Sequence, residues 1–197
     1  MANTGTPNIF HKKVLKDIPD KVRKIIGEEQ LKNKPQADNY FKYLVTELKP
    51  FIDSAFSTLQ DRNITFIAGS SMGGLISLYA ICEYPKVFGG AACLSTHTPL
   101  SMKEKIFSNV DKDVASKFRN YLTAHLPDPK THKNYMDYGE KMLDSFYMPC
   151  QQKIDGIMKA KGFTADNWVT IYFPGEEHSE KSWGKRLDAP LLFLLEN

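Results

Sequence analysis

The sequence has few cysteines, and none of them stands at metal-ligand spacing. Cys82, Cys93 and Cys150 fall in apolar surroundings, whereas structural zinc sites use cysteine pairs only a few residues apart. We expect buried thiols, with a Cys82–Cys93 disulfide as the less favoured alternative. The sequence therefore predicts neither a metal site nor a cofactor.

Long apolar runs, a signal-peptide pattern and basic blocks are also missing. Apolar runs such as residues 191–195 are far too short to span a bilayer. Residues 1–8 have neither the basic nor the apolar region of a signal peptide. The formal net charge of +3 is spread over lysine-rich segments, which makes nucleic acid a poor candidate partner. We expect a soluble protein without a nucleic-acid or membrane partner, and its compartment stays open.

The remaining composition is that of an ordinary globular domain. The chain has 197 residues, of which 42% are hydrophobic and 25% charged, enough for one domain with a full core. Strand-like stretches at residues 64–68, 88–95, 134–138 and 168–173 alternate with helix-like stretches. This alternation predicts an α/β fold, a parallel sheet with helices on both faces. Ligand sites in such sheets lie at the carboxyl ends of the strands.

The helix-like stretches follow from apolar spacing and from helix-breaking residues. An irregular arm (residues 1–19) and a short helix (20–26) come first. The later predictions are an amphipathic helix over 40–56 bent at Pro50, a helix after the strand at 64–68, a helical insertion (100–130), a helix over 144–161 ended by Gly162, and a last helix through Trp183 and Leu187 to Leu195. The insertion is expected near the active-site edge of the sheet.

The strongest local pattern is Gly-Ser-Ser-Met-Gly at residues 69–73. A Gly-x-Ser-x-Gly sequence between a strand and a helix is typical of a nucleophile elbow, in which both glycines tolerate the close contacts of a tight turn. The pattern predicts Ser71 as a nucleophile. The amide of Met72, at the start of the following helix, is the predicted oxyanion donor.

A serine hydroxyl needs a base within hydrogen-bond reach and a third group that orients the base. His178 follows the last predicted strand, as the chain order serine, acid, histidine requires. The acid should follow the third strand, where we favour Asp144, which lies beyond the strand, and keep Asp137 as the alternative. Ser70 and His97 are predicted to line the substrate pocket at the same edge.

Several stretches together resemble one known family. Residues 68–80, 84–90, 136–139 and 175–183 resemble the Putative esterase group of the α/β-hydrolases, which includes esterase D, enterochelin esterase, feruloyl esterase and acetyl xylan esterase. The resemblance implies a three-layer α/β/α sandwich, with the family's serine and histidine at Ser71 and His178. Relatives place an aspartate a few residues after the glycine of the acid loop, which fits Asp144.

The sequence departs from this family at its start. The family fold has further strands ahead of the elbow strand, including a turn that supplies a second oxyanion donor, and this chain begins too late to contain them. We therefore expect residues 1–197 to form a single, N-terminally truncated domain. Its elbow strand would present an unpaired edge through which two copies could associate.

These features predict a serine carboxyl-ester hydrolase that acts through an acyl-enzyme. The predicted substrate is a small-molecule ester: an acylated sugar, a hydroxycinnamate or a siderophore-type ester. Two alternatives stay open. One is an acyltransferase that uses the same triad, and the other is a catalytically impaired, truncated chain that acts as a binding or structural module.

Overall fold

The structure is a computed structural model that describes residues 36–99 and 114–196. These residues divide into two compact units, one with residues 36–58 and 114–118 and the other with residues 59–99 and 119–196. The predictions for residues 1–19, for the helix over 20–26 and for the insertion up to residue 113 lie outside the described residues. The single-domain organisation stays a prediction.

The first unit contains the helix predicted over residues 40–56. It consists of α1 (Ala37–Tyr43), a π-helical stretch (Leu44–Leu48) and α2 (Lys49–Ala55), which follow one another without a break. Pro50 stands in the first turn of α2, and a proline inside a helix removes a backbone donor and crowds the carbonyl one turn earlier. The irregular stretch lies just before Pro50, where the sequence predicts a bend.

The second unit is built on a four-stranded parallel sheet. The strands are β1 (Phe66–Ser70), β2 (Gly90–Leu94), β3 (Lys133–Tyr138) and β4 (Trp168–Tyr172), in the spatial order β1-β2-β3-β4. All four occur where the sequence predicts a strand. β1 is an outer strand of the described sheet, and association of two copies through it stays a prediction.

Each strand is followed along the chain by one or two helices. They are α3 (Met72–Glu83), α4 (Val114–His125), α5 (Met148–Lys161), α6 (Glu180–Lys185) and α7 (Asp188–Leu195), with 3-10 turns at Arg62–Ile64, Pro129–Thr131 and Met142–Phe146. Gly162 ends α5 in the left-handed conformation at φ 99°, as predicted. Two predictions were wrong. The helix predicted from residue 144 starts at Met148, after a 3-10 turn. The helix predicted to continue through Trp183 to Leu195 is split between Lys185 and Asp188.

Both faces of the sheet are covered by helices. On one face, Ala92, Leu94 and Tyr135 form a buried cluster with Leu194 of α7. On the other face, α5 contacts the sheet through polar groups, since Gln151 donates to the sulfur of Met136 and the Thr170 hydroxyl donates to Asp155. The predicted α/β fold class, a parallel sheet between two helical layers, is confirmed.

The cysteines form no disulfide in the structure. Cys82 and Cys93 are buried, and burial raises the pKa of both thiols, whereas Cys150 is partly exposed. Within the described ranges, every helix is too short or too polar to cross a membrane.

Candidate active site

The turn between β1 and α3 holds Ser71 in an uncommon backbone conformation. Its φ is 54°, a region that a residue with a side chain adopts only where the surrounding structure imposes it. Its amide donates to the carbonyl of Leu94 at 2.8 Å, which ties the turn to the end of β2. A Cβ on Gly69 would lie 2.5 Å from the Gly73 backbone, whereas one on Gly73 would meet nothing within 4 Å. Close packing in the turn therefore leaves no room for a side chain at Gly69, whereas the described contacts do not require glycine at Gly73.

His178 lies between Ser71 and Asp144. Its Nε2 is 2.9 Å from the Ser71 Oγ, and its Nδ1 is 2.6 Å from the Asp144 Oδ1. An ionised carboxylate only accepts hydrogen bonds, so Nδ1 carries the proton and the lone pair of Nε2 faces the serine. This arrangement can withdraw the proton of Ser71 and hold the resulting imidazolium beside a negative charge.

Asp144 is buried and accepts three hydrogen bonds. Besides His178, the Ser95 hydroxyl and the Gly139 amide donate to its Oδ2 at 2.5 and 2.6 Å. Burial by itself raises the pKa of Asp144, but the hydrogen bonds from His178, Ser95 and Gly139 outweigh it, and the pKa lies below its ordinary value. The carboxylate therefore stays charged although it is only 1% exposed.

Backbone hydrogen bonds join the loop that carries the acid to the loop that carries the histidine. The carbonyl of Glu176 accepts from the amides of Glu140 and Lys141 at 2.8 and 3.0 Å. In return, the Gly175 amide donates to the Glu140 carboxylate at 2.7 Å. A Cβ on Gly139 would lie 2.6 Å from the Glu176 carbonyl, so the loops pack too closely there for any residue except glycine.

Two aromatic rings that the sequence analysis does not single out flank His178. The Tyr147 ring meets it at 5.6 Å and 89°, and the Trp183 ring at 5.0 Å and 84°. Such edge-on contacts restrict rotation of the imidazole without competing for its nitrogens. Both rings lie close in sequence to a predicted site residue, but nothing in their spacing distinguishes them from core aromatics.

The two residues predicted to line a pocket lie beside the elbow. His97 is 3% exposed; its amide donates to the Ser71 carbonyl at 3.2 Å, and its Nδ1 is 2.8 Å from the Tyr147 hydroxyl. Ser70 is the half-buried last residue of β1. Their role in a substrate pocket stays a prediction. The role of the Met72 amide as an oxyanion donor also stays a prediction; this amide begins α3 and has no carbonyl partner within the helix.

The alternative acid, Asp137, is engaged elsewhere. Its carboxylate accepts from Arg186 at 2.9 and 3.2 Å, from the Ser95 amide at 3.0 Å and from the Tyr135 hydroxyl at 3.1 Å. Burial raises the pKa of Asp137, and the Arg186 guanidinium acts in the opposite direction. No local pattern points to Ser95 or Arg186, because their partners are distant in sequence.

In residues 36–99 and 114–196, no cluster of three or more His, Cys, Asp or Glu side chains could hold a metal ion.

A parallel sheet, a strained serine between a strand and a helix, and a histidine that links it to a buried carboxylate define an α/β-hydrolase. The profile of the Putative esterase family matches residues 19–193, and the chain belongs to that family.

The chain is also similar to a curated protein and to solved structures. The uncharacterized protein YbbA of Bacillus subtilis (strain 168) is 22% identical over 156 residues, which cover 75% of this chain and 56% of YbbA. A ferulic acid esterase structure is similar with a TM-score of 0.60 and 19% identity, covering 79% of this chain and 60% of its own. The enterochelin esterase of Shigella flexneri has a TM-score of 0.63 and 17% identity, covering 96% of this chain and 41% of its own. The chain thus spans 60% or less of the length of each of these relatives.

Proposed function

We propose that this protein is a serine carboxyl-ester hydrolase that acts through an acyl-enzyme. The observation that carries the proposal is the unbroken hydrogen-bond path from Ser71 through His178 to the buried charge of Asp144. The histidine lies 107 residues from the serine in sequence, so only the folded chain forms this path.

In the proposed mechanism, His178 Nε2 takes the Ser71 proton as the Oγ attacks the ester carbonyl carbon. The oxygen becomes an oxyanion, which the Met72 amide at the start of α3 stabilises. When the tetrahedral intermediate collapses, the bond to the alcohol breaks and His178 gives that alcohol its proton. Water then attacks the acyl-enzyme with His178 again as the base, which releases the acid and restores Ser71.

The proposed substrate is a small-molecule ester. The fold is shared with a ferulic acid esterase and an enterochelin esterase, which supports a hydroxycinnamate or siderophore-type ester, with an acylated sugar as a third class. The kcat/KM for one ester of each class, divided by the kcat/KM for the same acetyl ester, would rank the three classes.

The test combines a fluorophosphonate probe, detected by intact mass, with hydrolysis of a short-chain nitrophenyl ester. Ser71→Ala and His178→Ala should lose labelling, and hydrolysis should fall at least about a thousandfold. Ser54→Ala is the matched control, because Ser54 is exposed on α2 and its hydroxyl donates to the Phe51 carbonyl of the same helix. It should react and hydrolyse like the wild type.

Two other results would redirect the proposal. A folded wild type that neither reacts with the probe nor hydrolyses the ester would reject a serine hydrolase and leave a binding or structural module. Labelling at Ser71 together with product that goes mainly to an added alcohol, rather than to water, would identify an acyltransferase.

A further inference from the structure

A row of buried polar groups continues from Asp144 away from His178. The Ser95 hydroxyl is 2.5 Å from the Asp144 Oδ2, and the Arg186 Nη2 is 2.8 Å from the same hydroxyl oxygen. Arg186 in turn contacts Asp137 through Nη2 and Nε at 2.9 and 3.2 Å. All four residues are 4% exposed or less, so bulk water does not compete for these bonds.

The chemistry of the groups fixes the direction of each hydrogen bond. A guanidinium only donates, so Arg186 occupies a lone pair of the Ser95 oxygen and the hydroxyl proton must point elsewhere. The ionised carboxylate of Asp144 only accepts, and it is the other group at hydrogen-bond distance. Ser95 therefore donates to Asp144 because Arg186 donates to Ser95.

Asp137 holds the other end of this row in two ways. It binds the guanidinium through both oxygens, which fixes the plane of Arg186. It also accepts from the backbone amide of Ser95 at 3.0 Å, where the backbone has a φ of 40°. That conformation is disfavoured for serine, so the Asp137 contact helps to keep the Ser95 hydroxyl in its place.

We propose that Ser95 and Arg186 are positioning residues for the reaction, which hold the Asp144 carboxylate charged and aimed at His178. This inference rests on the proposed function. A hydrogen bond to an ionised carboxylate is strong at low dielectric, so the Ser95 hydroxyl restricts the Asp144 carboxylate that accepts from it. The Gly139 amide also donates to the Asp144 Oδ2, so removal of Ser95 would leave that oxygen with one backbone donor instead of two donors.

The test compares Ser95→Ala with Tyr135→Phe. Both changes delete one buried hydroxyl, but the Tyr135 hydroxyl lies outside the row of four residues and donates to Asp137 at 3.1 Å. Ser95→Ala should lower kcat for a nitrophenyl ester about 10- to 100-fold, the range for one hydrogen bond to a charged group, with KM within about twofold. Tyr135→Phe should keep kcat within about threefold at a similar loss of Tm.

A second readout does not need catalysis. The proton between His178 Nδ1 and Asp144 Oδ1 should give a downfield proton NMR signal, identified by its loss in His178→Ala. We expect this signal to shift in Ser95→Ala and to stay in place in Tyr135→Phe. If the wild type hydrolyses no ester, the proposed function fails, yet the NMR comparison still decides whether Ser95 positions Asp144.

Two results would overturn the inference. One is a folded Ser95→Ala protein with wild-type kcat and an unshifted signal, and the other is a wild type without the signal. Arg186→Lys and Arg186→Gln give an independent check, because lysine keeps a charged donor for Ser95 and glutamine does not. Arg186→Lys should keep more of kcat than Arg186→Gln, and equal losses in two folded variants would contradict the proposal.

Discussion

At the residue scale, Asp144 is buried and charged at once. A buried carboxylate normally takes up a proton to escape the loss of hydration. The donors from His178, Ser95 and Gly139 reverse that tendency and lower its pKa. The same contacts therefore support the candidate site and the stability of the fold.

This gives a pH-dependent prediction for Asp144→Asn. Because the folded pKa of Asp144 lies below its unfolded value, the carboxylate contributes stability that is fully present above the unfolded value, about 3.9. The contribution fades as the pH falls through the folded pKa. Urea unfolding of both proteins should show the wild type more stable at neutral pH, with a difference that shrinks below about pH 4.

The comparison controls for other groups, because all remaining carboxylates titrate in both proteins. A difference in unfolding free energy that stays constant from pH 7 to pH 3 would contradict the lowered pKa. The same variant should lower kcat by about three to four orders of magnitude, since an amide cannot hold the required tautomer of His178.

Residues with a local signature could be predicted from the sequence. Ser71 stands in a recognisable turn, and His178 and Asp144 follow strands that periodicity locates. The structure brings the three side chains together, while their catalytic roles stay predictions. Ser95 and Arg186 could not be found in this way, because they lie 91 residues apart and each is defined by a contact that forms only in the folded chain.

At the scale of elements, the acid and histidine loops behave as one paired unit. The Glu176 carbonyl receives two amides from the acid loop, and Gly139 packs against that carbonyl. The distance between Asp144 and His178 therefore depends on backbone contacts as well as on their own side chains.

Gly139→Ala tests this dependence. The added methyl would lie 2.6 Å from the Glu176 carbonyl and 2.9 Å from the Asp144 Oδ2, so the loops must separate. We expect a loss of about 1–3 kcal/mol in the free energy of unfolding, and a fall in kcat of about 10-fold or more because the acid is displaced. Urea unfolding and steady-state hydrolysis measure the two effects.

Gly184→Ala is the control for that substitution. A Cβ on Gly184, in α6, meets nothing within 4 Å, so stability should be unchanged or rise by up to about 1 kcal/mol. Equal effects of the two substitutions would show that the packing of Gly139 does not set the geometry of the site.

Element positions were predictable where apolar spacing marks a strand or a helix, and they were wrong where that spacing continues across a break. The four strands occur where their apolar runs predict them, and Gly162 ends α5 as predicted. The last helix is split at Arg186, where φ is −118°. Pro190 lies four residues later, and the ring of a proline clashes with a helical carbonyl four residues before it. Apolar spacing continues through this break and does not reveal it.

At the scale of the molecule, the candidate site depends on the C-terminal helix as well as on the elbow. Leu194 of α7 packs into the buried cluster with Ala92, Leu94 and Tyr135, on the sheet face that carries Asp137 and Arg186. Helix α7 follows Arg186 directly along the chain. Packing of α7 on the sheet should therefore stabilise the site and the sheet together.

Leu194→Ala should lower the free energy of unfolding by about 2–5 kcal/mol, as expected for a buried leucine, since Leu194 is 5% exposed. Leu195→Ala is the neighbouring control, and it should change stability by no more than about 0.5 kcal/mol because Leu195 is 64% exposed.

Trp168 and Trp183 both belong to the sheet-containing unit, so tryptophan fluorescence in urea follows its unfolding. If the site and the sheet unfold as one cooperative unit, fluorophosphonate labelling of Ser71 should disappear at the same urea concentration as the fluorescence transition. In Leu194→Ala both should move to lower urea by the same amount. Labelling that disappears well before the fluorescence changes would show that the site loses its geometry independently of the core.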